Sequence, residues 1–276
     1  SCAYINKIME NFTDVEYHYL SVISYIGKIE TQKKIHCDAT IMPKSAFDRC
    51  YDKYTVLPVT EEQRLLIANK DYLQEALEII KARFKDMGQG YAENLVCFMY
   101  RYFEEFLNIY NLPKYPATLI VWNQFTPTHH ILINICKEKN IRVLFMEFGV
   151  IPGTFVIESH GQMGESSVAI DSQNFQQRFI TKEEFEQADR ILKILKANKL
   201  NRNIQPVSNE LDRIKKANKE KRKVITYFGQ NDYESGLFPY TQRTEQYHSP
   251  IFKSSDEAAA ELATIAKENN WFLVYK

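Results

Sequence analysis

Leu73, Ala76, Leu77, Ile80 and Phe84 recur at helical spacing. They predict a core-facing stripe on a helix that starts near Thr60, where Glu61 and Glu62 suit the positive end of the helix dipole. MGQG at 87–90 interrupts the pattern. A second stripe, Leu95, Met99, Tyr102, Phe106 and Ile109, predicts another helix, closed by the prolines of NLPKYP. Residues 1–60 carry no single period: Tyr17, Tyr19, Leu20, Ile23 and Ile26 suit a helix or a strand.

The pattern then changes from stripes to runs. ATLIVW (117–122) and IRVLFMEF (141–148) are continuous apolar runs, as expected of strands buried on both faces. Between them Thr126 can cap a helix with Pro127 at its first position. Strand, helix and strand at this spacing predict a parallel βαβ unit. Residues 149–176 read as a polar, glycine-rich excursion. TKEEFEQADRILKILKAN reads as a helix with a Thr181–Glu184 capping box and a stripe of Ala188, Ile191, Leu192 and Leu195. A charged linker or exposed helix follows, whose basic run reads as a solvated face. A second βαβ unit is expected from a strand at 223–228, a helix near 255–269 striped by Ala258, Leu262, Ile265 and Ala266, and a strand at 271–275. The fold expected is α/β with two Rossmann-like halves and parallel sheets. Residues 1–200 form the first domain with a helical N-terminal portion, 201–222 the linker, and 223–276 the start of the second domain. The Ser-Cys start and the end on a strand predict a fragment of a longer protein, its second half cut short.

Composition adds exclusions. Basic and acidic residues both number 35, so no overall field draws the chain to nucleic acid or an anionic membrane. Five scattered cysteines form no Cys-x-x-Cys pair, which argues against a zinc site or a disulfide framework and for reduced thiols in a cytoplasmic protein. No apolar run approaches the ~18 residues of a membrane span, and no signal peptide is evident.

Ligands of open α/β sheets bind beyond the carboxyl ends of strands. That rule selects three loops. In WNQFTPTHH, Asn123 and Gln124 could bond sugar hydroxyls and Trp122 could stack on a sugar ring; His129 and His130 read as structural. In EFGVIPGTFVIESHGQMGES, Glu147 ends a buried strand and must face a cleft or a partner. Gly149, Gly153 and Thr154 offer close backbone approach, and Gln162, Glu165, Ser166 and Ser167 share the same excursion. In YFGQNDYESG, Asp232 and Glu234 face one side of an extended chain, where a carboxylate could take a proton from an acceptor hydroxyl. Six of the nine glycines lie in 149–164 and 229–236, yet neither stretch is a Walker loop or a G-x-G-x-x-G.

VWNQF, MEFGVIPGTF, GQMGES and YFGQNDYESG, in this order over roughly 117–276, resemble bacterial capsular polysaccharide biosynthesis glycosyltransferases of the GT-B type, the group that includes the capsule β-Kdo transferases. The resemblance implies a Gln-x-x-x-acid motif, here Gln230 to Glu234, with Glu234 as base and Asp232 as rival. The family has Asp where this chain has Glu234. The family's His-Pro phosphate motif has no counterpart, since no His-Pro pair occurs in the chain. The implied substrates are a CMP- or UDP-linked sugar and a glycan or lipid-linked glycan acceptor. No metal or other cofactor is implied, and no nucleic acid. The implied location is the cytoplasm, with room for peripheral association with a membrane assembly complex at its inner face.

Two alternatives share these features. A nucleotide-sugar epimerase would use the carboxylates to move protons on the sugar. A non-catalytic polysaccharide-binding or assembly module would keep the loops and lack turnover.

Overall fold

The computed structural model describes residues 58–83, 90–109, 116–122, 124–149, 154–198, 210–229 and 251–275, together with Asn11, Gly88, Ile151 and Gln246. Two compact units divide the chain, Ser1–Asn111 and Leu112–Lys276.

The described part of the first unit is helical. Helices α1 (Glu61–Ala68), α2 (Asp71–Arg83) and α3 (Tyr91–Ile109) pack on one another. A capping box opens α1: the Thr60 hydroxyl accepts the Gln63 amide at 3.2 Å and the Gln63 side chain accepts the Thr60 amide at 2.8 Å. The helix expected from Thr60 onward is broken at Asn69 and Lys70. Asn69 closes α1, and Leu73 N–H donates to the Lys70 carbonyl at 2.9 Å to begin α2. The break lets both helices reach α3. Leu73, Ala76 and Ile80 are buried, as are Leu95, Met99, Phe103 and Phe106 on α3.

The second unit is mixed α/β. Strand β1 (Thr118–Val121) runs parallel to β2 (Arg142–Phe148), with Thr118 opposite Arg142 and Val121 opposite Phe145. Helix α4 (Pro127–Glu138) makes the crossover. The Thr126 side chain accepts the His129 amide and Pro127 occupies the first turn, as its fixed φ favours. Ile131, Ile135 and Cys136 of α4 are buried with Val143 and Phe145 of β2. Burial pushes the Cys136 thiol up to about 12 and the Cys97 thiol to about 11, so neither is a ready nucleophile.

Two expectations change here. The sheet order is β1-β2-β3, which leaves β1 at an edge among the described strands, and its Ile120 is exposed. Strand β3 (Phe155–Glu158) lies inside the stretch read as loop and pairs antiparallel with β2, so this sheet is mixed rather than purely parallel. A 3₁₀ turn (Met163–Glu165) and helices α5 (Ser167–Ile170), α6 (Ser172–Gln177) and α7 (Lys182–Asn198) follow. The capping box of α7 is present: Glu184 N–H donates to the Thr181 hydroxyl at 3.2 Å and Thr181 N–H to the Glu184 carboxylate at 3.0 Å.

Helix α8 (Glu210–Lys219) leads into β4 (Val224–Tyr227), and α9 (Ser255–Glu268) into β5 (Phe272–Tyr275). Strands β4 and β5 are parallel, Val224 opposite Phe272 and Tyr227 opposite Tyr275, which makes β4-α9-β5 the second parallel unit.

The three helix-to-strand turns that lie wholly among the described residues use one device. Asn140, Lys221 and Asn270 have φ of 57°, 58° and 54°. The next residue bonds back across the helix end: Ile141 N–H to the Cys136 carbonyl at 2.8 Å, Arg222 to Ala217 at 2.9 Å, and Trp271 to Ala266 at 2.7 Å. These are Schellman closures, which satisfy the last helical carbonyls and reverse the chain into a strand. Asparagine tolerates the left-handed region; lysine does so at a cost of about 1 kcal/mol. Replacing Lys221 with Gly is therefore expected to raise stability by about 0.5–1 kcal/mol. Asn140→Gly should change it less. Urea midpoints of the three proteins check this, and a lower midpoint for Lys221→Gly would contradict it.

Candidate functional site

The carboxyl ends of β1 and β2 carry a hydrogen-bonded cluster drawn from two of the loops chosen by sequence. Gln162 is its centre. Its side-chain oxygen accepts the Gln124 backbone amide at 2.8 Å. Its amide nitrogen donates to the Met146 carbonyl at 2.9 Å and to a Glu147 carboxylate oxygen at 3.2 Å. Gln124 in turn donates through Nε2 to Glu165 at 2.8 Å, and the other oxygen of Glu147 accepts the Phe148 amide at 2.8 Å. Gln124 and Gln162 are both buried. The partner that a carboxylate at the end of β2 required is thus Gln162 together with the adjoining backbone.

Local backbone makes this possible. A Cβ on Gly161 would come within 2.8 Å of the Glu165 carbonyl and 3.2 Å of Gln124 Nε2, so only glycine lets the loop close over the cluster. Met163 takes a left-handed conformation, φ 53°, which turns the chain sharply after Gln162 and brings Glu165 back over Gln124. A non-glycine residue there stores roughly 1 kcal/mol. Gly161 and Met163 were not singled out from sequence; HGQMG had shown only a glycine-rich segment.

Other candidates have structural partners. Gly149 N–H donates to the Thr154 carbonyl at 2.9 Å and closes the β2–β3 hairpin. A side chain at Gly149 would strike the Thr154 hydroxyl. That hydroxyl donates to the Ile151 carbonyl at 2.6 Å. Ser166 caps α5 by accepting the Ala169 amide at 3.3 Å, and Ser167 N–H donates to Glu158 at 2.7 Å. Asn123, Gly153, Gln230, Asp232 and Glu234 lie outside the described residues.

Trp122, just past β1, meets Phe148, the last residue of β2, edge to face with centroids 4.3 Å apart. Both are half-buried. The pair sits at the same strand ends as the cluster. Carboxylates, amides and an aromatic pair, with no cation among them, suit a neutral hydroxyl-bearing ligand better than a phosphate. Among the described residues no group of three His, Cys, Asp or Glu could hold a metal ion.

Comparison with protein-family models, curated proteins and solved structures finds no match.

His129 and His130, in the first turn of α4, differ in surroundings. His130 is buried, and its carbonyl accepts the Asn134 side-chain amide at 2.8 Å. His129 Nδ1 is hydrogen-bonded to the Thr126 hydroxyl, and burial lowers its pKa from 6.5 to about 4. The neutral ring is the native form. The unfolded chain binds the proton first, so stability is complete above pH 6.5 and falls as pH drops from about 6.5 to 4. The loss should reach about 3 kcal/mol. His129→Gln should flatten that part of the stability profile, measured by urea unfolding at each pH; an unchanged slope would refute the assignment.

Gln162→Leu removes one acceptor and two donated hydrogen bonds at buried positions. The expected loss is about 2–4 kcal/mol. It should exceed the loss from Thr154→Val, an exposed residue, in the same denaturation assay.

Proposed function

We propose that the chain is a glycosyltransferase, or part of one, that moves a sugar from a nucleotide-sugar donor to a surface or capsular polysaccharide acceptor. The observation that carries this reading is the cation-free amide and carboxylate cluster with its Trp122–Phe148 pair, beyond the carboxyl ends of two parallel strands. Parallel α/β sheets bind ligands at such ends. Support also comes from the second parallel unit, whose β4 runs directly into Gly229, with Asp232 and Glu234 next in sequence.

In the proposed GT-B arrangement, the first βαβ unit serves the acceptor and the unit beginning at β4 serves the donor. Gln124 and Gln162 act as positioning residues, since each is buried and bonded within the cluster. They hold the loop that presents Glu165, while Trp122 stacks on a sugar ring. Glu234, with Asp232 as rival, takes the proton from the acceptor hydroxyl. That oxygen attacks the anomeric carbon and the bond to the nucleotide phosphate breaks. Gln230 orients the donor sugar. A carboxylate base of this kind contributes about 10²–10⁴-fold.

The test offers a panel of nucleotide sugars with and without glycan acceptors and follows nucleotide release. Transfer should require an acceptor. Glu234→Gln should lower turnover by about 10²–10⁴-fold, with Asp232→Asn causing less than about a tenfold loss. The reverse ranking would move the base to Asp232. Conversion of the donor alone would indicate epimerisation. Glycan binding without turnover, unaffected by either substitution, would overturn the enzymatic reading.

A further inference from the structure

Helix α7 turns its apolar stripe outward. Phe185 is 67% exposed and Leu192 52% exposed, and Phe179, just before the helix, is 83% exposed. Phe185, Ala188, Leu192 and Leu195 repeat at the three- and four-residue steps of a heptad seam. Exposed apolar faces of this kind mark interaction surfaces.

The charges on α7 select the occupant. Its first half, 182–189, carries Glu183, Glu184, Glu186 and Asp189 against the single Lys182. Its second half, 190–198, carries Arg190, Lys193 and Lys196 and no acid. Across 167–198 five acids balance five bases, so an anionic lipid surface gains no net attraction. A second α7 running in the opposite direction places each acidic half beside a basic half and opposes the two helix dipoles. In that pairing Phe185 lies opposite Leu195 and Ala188 opposite Leu192, so every seam residue meets an apolar partner. A parallel pair would set acid against acid and base against base.

We propose that α7 is a self-association surface, through which two copies of this chain pair in antiparallel fashion. The helix is about 25 Å long. The contact therefore sits at the weak end of specific interfaces, and the pairing responds to concentration.

Sedimentation velocity of the 276-residue chain under reducing conditions, over about 1–100 μM, tests this. The expected result is a concentration-dependent shift from 32.4 kDa towards twice that mass. Leu192→Glu, on an exposed face, should raise the dissociation constant about 100-fold with an unchanged circular dichroism spectrum. Glu183→Lys with Glu186→Lys should weaken pairing about tenfold at low salt, as should Arg190→Glu with Lys193→Glu. Mixing the two charge variants should restore a heterodimer. A single 32.4 kDa species throughout, or a dimer indifferent to Leu192→Glu, would overturn the proposal. Binding of the wild type to phosphatidylserine vesicles that Leu192→Glu abolishes, without dimerisation, would assign the face to a membrane and overturn it too.

Discussion

One buried side chain ties together segments far apart in sequence. Gln162 reaches the exit of β1 through Gln124, the end of β2 through Met146 and Glu147, and the 3₁₀ turn through its own backbone, where Glu165 N–H donates to its carbonyl at 3.0 Å. A primary amide can do this because it both donates and accepts. A carboxylate could not donate to the Met146 carbonyl, and an ammonium could not accept the Gln124 amide. Away from water each bond is stronger, and each missing partner costs more. The loop beyond β3 is therefore held shut by polar chemistry as much as by apolar packing.

The residues of this cluster were legible separately and their joining was not. Gln124, Glu147, Gln162 and Glu165 stood out as polar groups beyond strand ends. Burial logic correctly required a partner for Glu147. That the partner would be Gln162, fifteen residues later, depends on β3 folding back on β2. Phe155–Glu158 is only four residues long and lies between glycine-containing segments, too short for alternation to announce a strand. The same brevity hid the edge position of β1. An apolar run signals strand character without showing how many neighbours the strand has, and Ile120 is apolar yet exposed.

Helices were read more fully because their signals are local. The Thr126 cap with Pro127 and the Thr181–Glu184 box lie within four residues, and both are formed. Where each stripe points is a tertiary matter. Leu95, Met99 and Phe106 of the α3 stripe are buried, whereas the stripe of α7 is largely open, though the two patterns look alike in sequence. The α1–α2 break shows the converse: a helix that reads as continuous from Thr60 is divided because Lys70 starts a fresh one.

Among the described residues the β4–β5 ladder has two strands, each with one edge unpaired. A two-stranded sheet is marginal by itself in water. It is buttressed by α8, which packs on β4, and α9, which packs on β5. Arg222 adds a clamp, donating to the Asn270 and Trp271 carbonyls at 3.1 and 2.8 Å. Helices and ladder should then exchange their amide hydrogens as one cooperative opening unit. Because β4 leads directly to Gly229, whose Cβ position lies 2.6 Å from the Tyr275 hydroxyl, each such opening would also release the close approach of Gly229 and Tyr275 at the carboxyl end of the ladder. The carboxyl end of the β4–β5 ladder can thus open locally, whereas the β1–β2 end is held by its polar lock.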